Sequence, residues 1–110
     1  MHRRFLRVLA PALVAGLALA GTAGAAAPRG PRVQIKEFKF VPAQITVKPG
    51  TTVTWTNVDQ ETHTVTATDS AYTSAGLDAR ETFTHRFTAA GTYTYYCKLH
   101  PHMTATVVVK

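Results

Sequence analysis

The sequence predicts an all-β domain, an antiparallel sandwich or barrel of short strands. Three observations carry that prediction. Apolar and polar residues alternate with a period near two through most of residues 33–109. The alternating runs are rich in threonine, valine and aromatic residues, which suit a pleated, half-buried surface. Turn signals, among them Pro49-Gly50 and Gly91, separate the runs at intervals short enough for strands.

In chain order, Val33 and Ile35 alternate with Gln34 and Lys36, and Ile45 and Val47 with Thr46 and Lys48. After the Pro49-Gly50 turn, Val53, Trp55 and Asn57 share one face and Thr52, Thr54 and Thr56 the other. His63, Val65 and Ala67 face one way and Thr64, Thr66 and Thr68 the opposite way, as expected of a further strand. Residues 69–80 have no clean period and contain Gly76, so a loop or short helical turn is expected there. Phe83, His85 and Phe87 form the next inward set; Tyr93, Tyr95 and Cys97 follow after Gly91. The last strand is expected over Thr104 to Val109. The threonine-lined faces read as polar surfaces, and Trp55 and the tyrosines as core aromatics.

The N-terminal segment is a different material. Residues 1–27 read as an export signal: a basic start at Met1–Arg7, a thirteen-residue apolar stretch from Val8 to Ala20, and small-x-small cleavage options at Ala23-Gly24-Ala25 and Ala25-Ala26-Ala27. Pro11, Gly16, Gly21 and Gly24 argue against a packed helix, and the apolar stretch is shorter than the roughly 18 residues of a membrane span. The apolar residues follow Arg3-Arg4 one position too early for a twin-arginine signal, which favours the general secretory route. Residues 28–32 form an extended leader, and 33–110 the folded domain, expected in a periplasm or outside the cell.

Cleavage also removes Arg3, Arg4 and Arg7, leaving nine basic against six acidic residues, a net charge of +3. That charge is too small and scattered for a nucleic-acid footprint. The single cysteine, Cys97, excludes an intrachain disulfide and every multi-cysteine zinc or iron–sulfur site. In an oxidising compartment such a cysteine is expected to be buried, paired with another chain or bound to a metal.

The chemistry concentrates in Tyr95-Tyr96-Cys97-Lys98-Leu99-His100-Pro101-His102-Met103. It holds the only cysteine, the only methionine left after cleavage, and two of the four remaining histidines. Taken alone, Cys97 on an inward strand face reads as an inert core thiol and Met103 as core filler. Together with His100, at intervals of three on one turn, they form a set that suits copper. Thiolate and thioether are soft, imidazole accepts both copper oxidation states, and two histidines, a cysteine and a weak axial methionine make a blue-copper site. The missing histidine is assigned to His63, at a strand start just after the loop 58–62. His85, between Phe83 and Phe87 in parity, reads as a partly buried strand histidine. His102 reads as a solvent-facing residue on the rim.

The chain resembles the cupredoxins, most closely the small amicyanin-like and plastocyanin-like ones. The resemblance rests on Phe40-x-Pro42, Ile45-Thr-Val-Lys-Pro-Gly50, Thr51-Thr-Val-Thr-Trp-Thr-Asn57, His63-Thr-Val65, Gly91-Thr-Tyr-Thr-Tyr-Tyr-Cys97 and His100-Pro101-x-Met103, and covers essentially all of residues 33–109. The Cys-x2-His-x2-Met spacing is the short-loop form of amicyanins. The resemblance implies a Greek-key β-sandwich of about eight strands, one type 1 copper per chain held by His63, Cys97, His100 and Met103, and one-electron transfer without enzymatic turnover. Two positions depart from the family pattern. Thr64 stands where asparagine is frequent, and Leu99 where proline is frequent. Leu99 therefore has a backbone N–H, which is expected, with that of Thr64, to point at the Cys97 sulfur and tune the metal.

The expected role is that of an exported monomeric carrier. It meets donor and acceptor redox proteins transiently through a small patch of Leu99, Pro101 and His102 around His100. The rival reading is a copper carrier or sequestering protein, with His102 as a looser extra ligand. A copper enzyme would need more spare histidines than the chain has.

Overall fold

A computed structural model describes residues 30–110; the export signal expected over residues 1–27 and the first two residues of the expected leader lie outside the described residues. Eight strands follow in order: β1 (Arg32–Lys36), β2 (Lys39–Val41), β3 (Gln44–Val47), β4 (Thr51–Asn57), β5 (Thr66–Ala67), β6 (Thr82–Phe87), β7 (Gly91–Cys97) and β8 (His100–Val109). They form two four-stranded sheets, ordered β2-β1-β4-β6 and β3-β8-β7-β5. No helix occurs among the described residues.

The alternation places the core between the sheets. Val33, Ile35, Val53, Trp55 and Phe87 come from one sheet and Val47, Tyr95, Ala105, Val107 and Val109 from the other, all buried. Each such side chain of valine size or larger contributes about 1.5–3 kcal/mol when fully buried. The Trp55 and Tyr95 rings meet edge to face across the two sheets, 5.5 Å between centroids. Burial pushes the Tyr95 phenol up to about 12, so the ring enters the core neutral. The Pro49-Gly50 turn closes as its residues require: Gly50 takes φ 88°, and the Thr51 N–H donates to the Lys48 carbonyl at 3.2 Å.

Several expectations need correction. The sheets are mixed, because β1 pairs parallel to β4 and β3 parallel to β8. Period-two alternation fixes which side chains face inward but is blind to the direction of the neighbour. Strand β2 breaks no alternation and is too short to announce itself. The expected strand from His63 to Thr68 shrinks to Thr66–Ala67, while residues 69–80 form no helical turn. That loop folds back along residues 63–67 instead. His63 and Leu77 exchange both backbone bonds (3.1 and 2.7 Å), and Ser74 donates its N–H to the Val65 carbonyl at 2.8 Å. Residues 63–67 are therefore buried on both faces, and Thr64 and Thr66 are not surface residues. Their hydroxyls are paired with each other at 3.0 Å, and Thr66 with Thr73 at 2.9 Å, which is what makes their burial tolerable. Thr54 is buried too. The leader yields Arg32 to β1.

The last strand begins earlier than expected, at His100, and contains Pro101. The β7–β8 ladder runs regularly to Tyr96↔Thr104, then jumps to Cys97↔His100. Pro101, His102 and Met103 are left without partners on β7, and a proline is tolerated there because no ladder bond is asked of it. The turn itself is Lys98–Leu99.

Candidate metal centre

The site lies where the end of β4, the end of β7, the start of β8 and the β1–β2 turn converge. Cys97 is the last residue of β7, wholly buried, and the bulged start of β8 returns His100 and Met103 to its neighbourhood. Met103 is buried in the same apolar cluster as Cys97. His100 is half-buried, and Leu99, Pro101 and His102 are exposed.

His63 reaches this point from the other side of the fold, and its position is built from Asn57. The buried Asn57 amide donates to the carbonyls of Glu61 and Leu77, both at 2.8 Å, and its oxygen accepts from the Asp59 N–H at 2.9 Å. These bonds shape the loop 58–62 and deliver His63, itself wholly buried, to the end of the core. Its Nε2 faces the Asp59 carboxylate at 2.9 Å. A carboxylate only accepts, so the proton sits on Nε2 and the Nδ1 lone pair is left bare. That Nδ1 faces Cys97 Sγ at 3.8 Å. Burial raises the Asp59 pKa, but the Phe38 and Glu37 amides and the His63 ring together outweigh it and hold the carboxyl below its ordinary 3.8.

The sulfur accepts one backbone N–H, from Thr64 at 3.3 Å. The Leu99 N–H does not reach it. The amide that the turn turns inward belongs to Lys98, and it donates to the Thr64 hydroxyl at 2.8 Å. The His63 and His100 ring centroids are 5.2 Å apart. The structure thus brings His63, Cys97 and His100 together, with Met103 buried in the apolar cluster that includes Cys97.

Two contributors carried little sequence signal. Asp59 lies four residues before His63, inside what read as a plain loop. Phe38 interrupts the charged run Lys36-Glu37-Phe38-Lys39, yet its ring touches both His63 and His100. An apolar residue breaking the alternation at a turn was the available cue.

The donor set fits a soft metal. A buried sulfur that accepts an amide N–H and faces a bare imidazole nitrogen, with a second imidazole alongside, suits copper better than a hard cation. The chain belongs to the cupredoxin-like domain family, whose profile matches residues 9–109. Within that family it is similar to the amicyanins. It is 34% identical to amicyanin-alpha of Methylorubrum extorquens over 90 residues, covering 76% of each chain. It is 35% identical to the amicyanin of Paracoccus denitrificans over 83 residues, 71% of this chain and 63%, under two thirds, of that one. A solved reduced Cu(I) form of an amicyanin variant at pH 4 superposes with a TM-score of 0.73 at 32% identity, over 78% of this chain and 87% of that one. Among the described residues no helix is long and apolar enough to cross a membrane.

Proposed function

We propose that His63, Cys97, His100 and Met103 hold a single copper ion, and that the protein is an exported blue-copper carrier of single electrons and not an enzyme. The observation that carries this reading is the bare Nδ1 of His63 facing the buried Cys97 sulfur at 3.8 Å. When bound, the copper supplies a reversible one-electron couple. The chain's own residues supply the rest. Asp59 holds the His63 ring in one tautomer. The Thr64 N–H withdraws charge from the sulfur and so favours the reduced state. The apolar cluster around Cys97 and Met103 keeps water from the sulfur side.

Half-buried His100 is the exit toward a partner. Leu99, 54% exposed, lies beside it with Pro101 and His102, and exposed Phe38 and Val58 add apolar surface. Such a patch suits brief docking of another redox protein by a monomer. Residues 1–27 serve as the cleaved signal for the general secretory route. A metal-delivery role would draw on His102, whose ring centroid is 6.5 Å from that of His100 and whose side chain is exposed; nothing in the site favours it.

The test is copper titration of the exported protein. One equivalent of Cu(II) gives an intense visible charge-transfer band that bleaches and returns on reduction and reoxidation, and Cys97→Ser abolishes the band. Weak colour with irreversible thiol oxidation would overturn the carrier reading.

A further inference from the structure

Glu37 and Phe38 form the two-residue turn between β1 and β2, with Lys36 and Lys39 paired across it. Both sit at positive φ, 53° and 59°. Turns of this kind draw on asparagine and glycine, and a bulky side chain there is a genuine conformational outlier. The phenylalanine is also 38% exposed. Neither local preference nor core burial explains it, and such conflicts concentrate where a site needs them.

The surroundings supply the reason. Both turn amides end on one carboxylate: Glu37 N–H donates to Asp59 Oδ1 at 2.7 Å and Phe38 N–H to Oδ2 at 3.0 Å. The same Oδ2 accepts from His63 Nε2 at 2.9 Å. Held this way, the Phe38 ring stands edge-on to His63, with centroids 5.1 Å apart and planes at 88°. It stands equally close to His100, at 4.9 Å and 80°. His100 has no side-chain hydrogen bond among the described residues, so ring contacts are what restrain it.

We propose that Phe38 is a positioning residue for both histidines, set in place by Asp59, so that one carboxylate orients His63 directly and restrains His100 through the turn. This rests on the reading of those histidines as metal ligands. Two imidazoles from distant segments are thereby fixed to one body before any metal arrives, which keeps their rearrangement small when an electron moves.

The experiment starts with the metal-free protein at one pH where the histidines are neutral, read by nitrogen-correlated spectra and ring relaxation. Wild type shows His63 in the single Nε2-protonated tautomer. Asp59→Asn mixes the His63 tautomers and speeds exchange of the Glu37 and Phe38 amides about tenfold or more, as expected for losing bonds to a charged acceptor. Phe38→Gly suits the turn, so the fold keeps its melting temperature or gains, yet ring motion at His100 rises; Phe38→Tyr restores it. A merely structural role for Phe38 would leave His100 unmoved. Unchanged His100 motion in Phe38→Gly, or an unchanged His63 tautomer in Asp59→Asn, overturns the proposal. Copper is then added: failure to bind with the metal-free results intact would break the metal reading and leave the clamp standing, whereas normal binding with no effect of either variant breaks the clamp alone.

Discussion

The site is assembled from two regions built on opposite principles. The segment Asn57–Thr66 has almost no regular structure, yet Asn57, His63 and Thr64 are buried, and hydrogen bonds tie Asn57 and His63 to Leu77, Asp59 to the β1–β2 turn, Val65 to Ser74 and Thr64 to Cys97. The hairpin Cys97–Met103 is the reverse. It caps the longest ladder of its sheet, but its tip is exposed and three of its residues have no partner across the strand. Two backbone N–H bonds join the regions, Thr64 N–H to the sulfur and Lys98 N–H to the Thr64 hydroxyl, beside the contact of His63 Nδ1 with the sulfur. An irregular loop can thus be the stiffer partner when its polar groups are satisfied inside the protein, and a regular hairpin the softer one when its end meets solvent.

The comparison breaks most easily at Asn57. Asn57→Leu keeps the volume roughly but strips the side-chain partner from the Glu61 carbonyl and the Asp59 amide, and leaves the Leu77 carbonyl with the His63 N–H alone. The expected loss is about 3 kcal/mol or more, read as a fall in the urea midpoint of the metal-free protein. Amide exchange should accelerate at residues 58–63 well before it does at the hairpin. A loss under about 1 kcal/mol would mean the loop is held by packing rather than by this side chain.

Thr64→Val probes the junction. It is close to isosteric, leaves the Thr64 amide on the sulfur, and removes the acceptor of Lys98 N–H. A cost of about 1–2 kcal/mol is expected, with faster exchange confined to Lys98 and its neighbours. The visible band of the copper form should persist. Loosening at residues 58–63 as well would show that the two regions are one unit.

The smallest effect lies outside both regions and sharpens the contrast as a control. His85 is stacked on Tyr72 with centroids 4.0 Å apart, and burial holds its pKa below the ordinary 6.5. The unfolded chain therefore takes up the proton first, so His85 favours folding above about pH 6.5 and that stability is lost as pH falls below it. Urea midpoints at neutral and mildly acidic pH should show a modest decline that His85→Gln flattens. An equal slope in the variant would assign the titration elsewhere.

How much of this was legible in the sequence depends on range. The inward sets Val33/Ile35, Val53/Trp55 and Tyr95/Cys97 follow from period two alone, and all are buried. The soft donors of residues 97–103 announce their chemistry by composition, and His63 could be named as their partner. Pairing direction could not be read, because a parallel and an antiparallel neighbour bury the same alternation. Nor could the buried threonines, whose hydroxyls find each other only after residues 69–77 fold back. Asp59 and Phe38 were missed for a related reason: their roles depend on a turn and a loop meeting 21 residues apart in the chain.

The position of β8 has a consequence for timing. The last strand of the chain is an interior strand of its sheet, lying between β3 and β7. Until residues 106–109 have been synthesised, Gln44–Val47 has no strand to join, and the second sheet cannot close over Val53 and Trp55. Pairing across more than 60 residues is entropically slow to find, and a growing chain that lacks it stays open. Completion of the fold thus waits on residues 106–109. For a polypeptide that must be threaded through a membrane before it folds, as residues 1–27 are proposed to direct, that postponement keeps the chain in the form the passage requires.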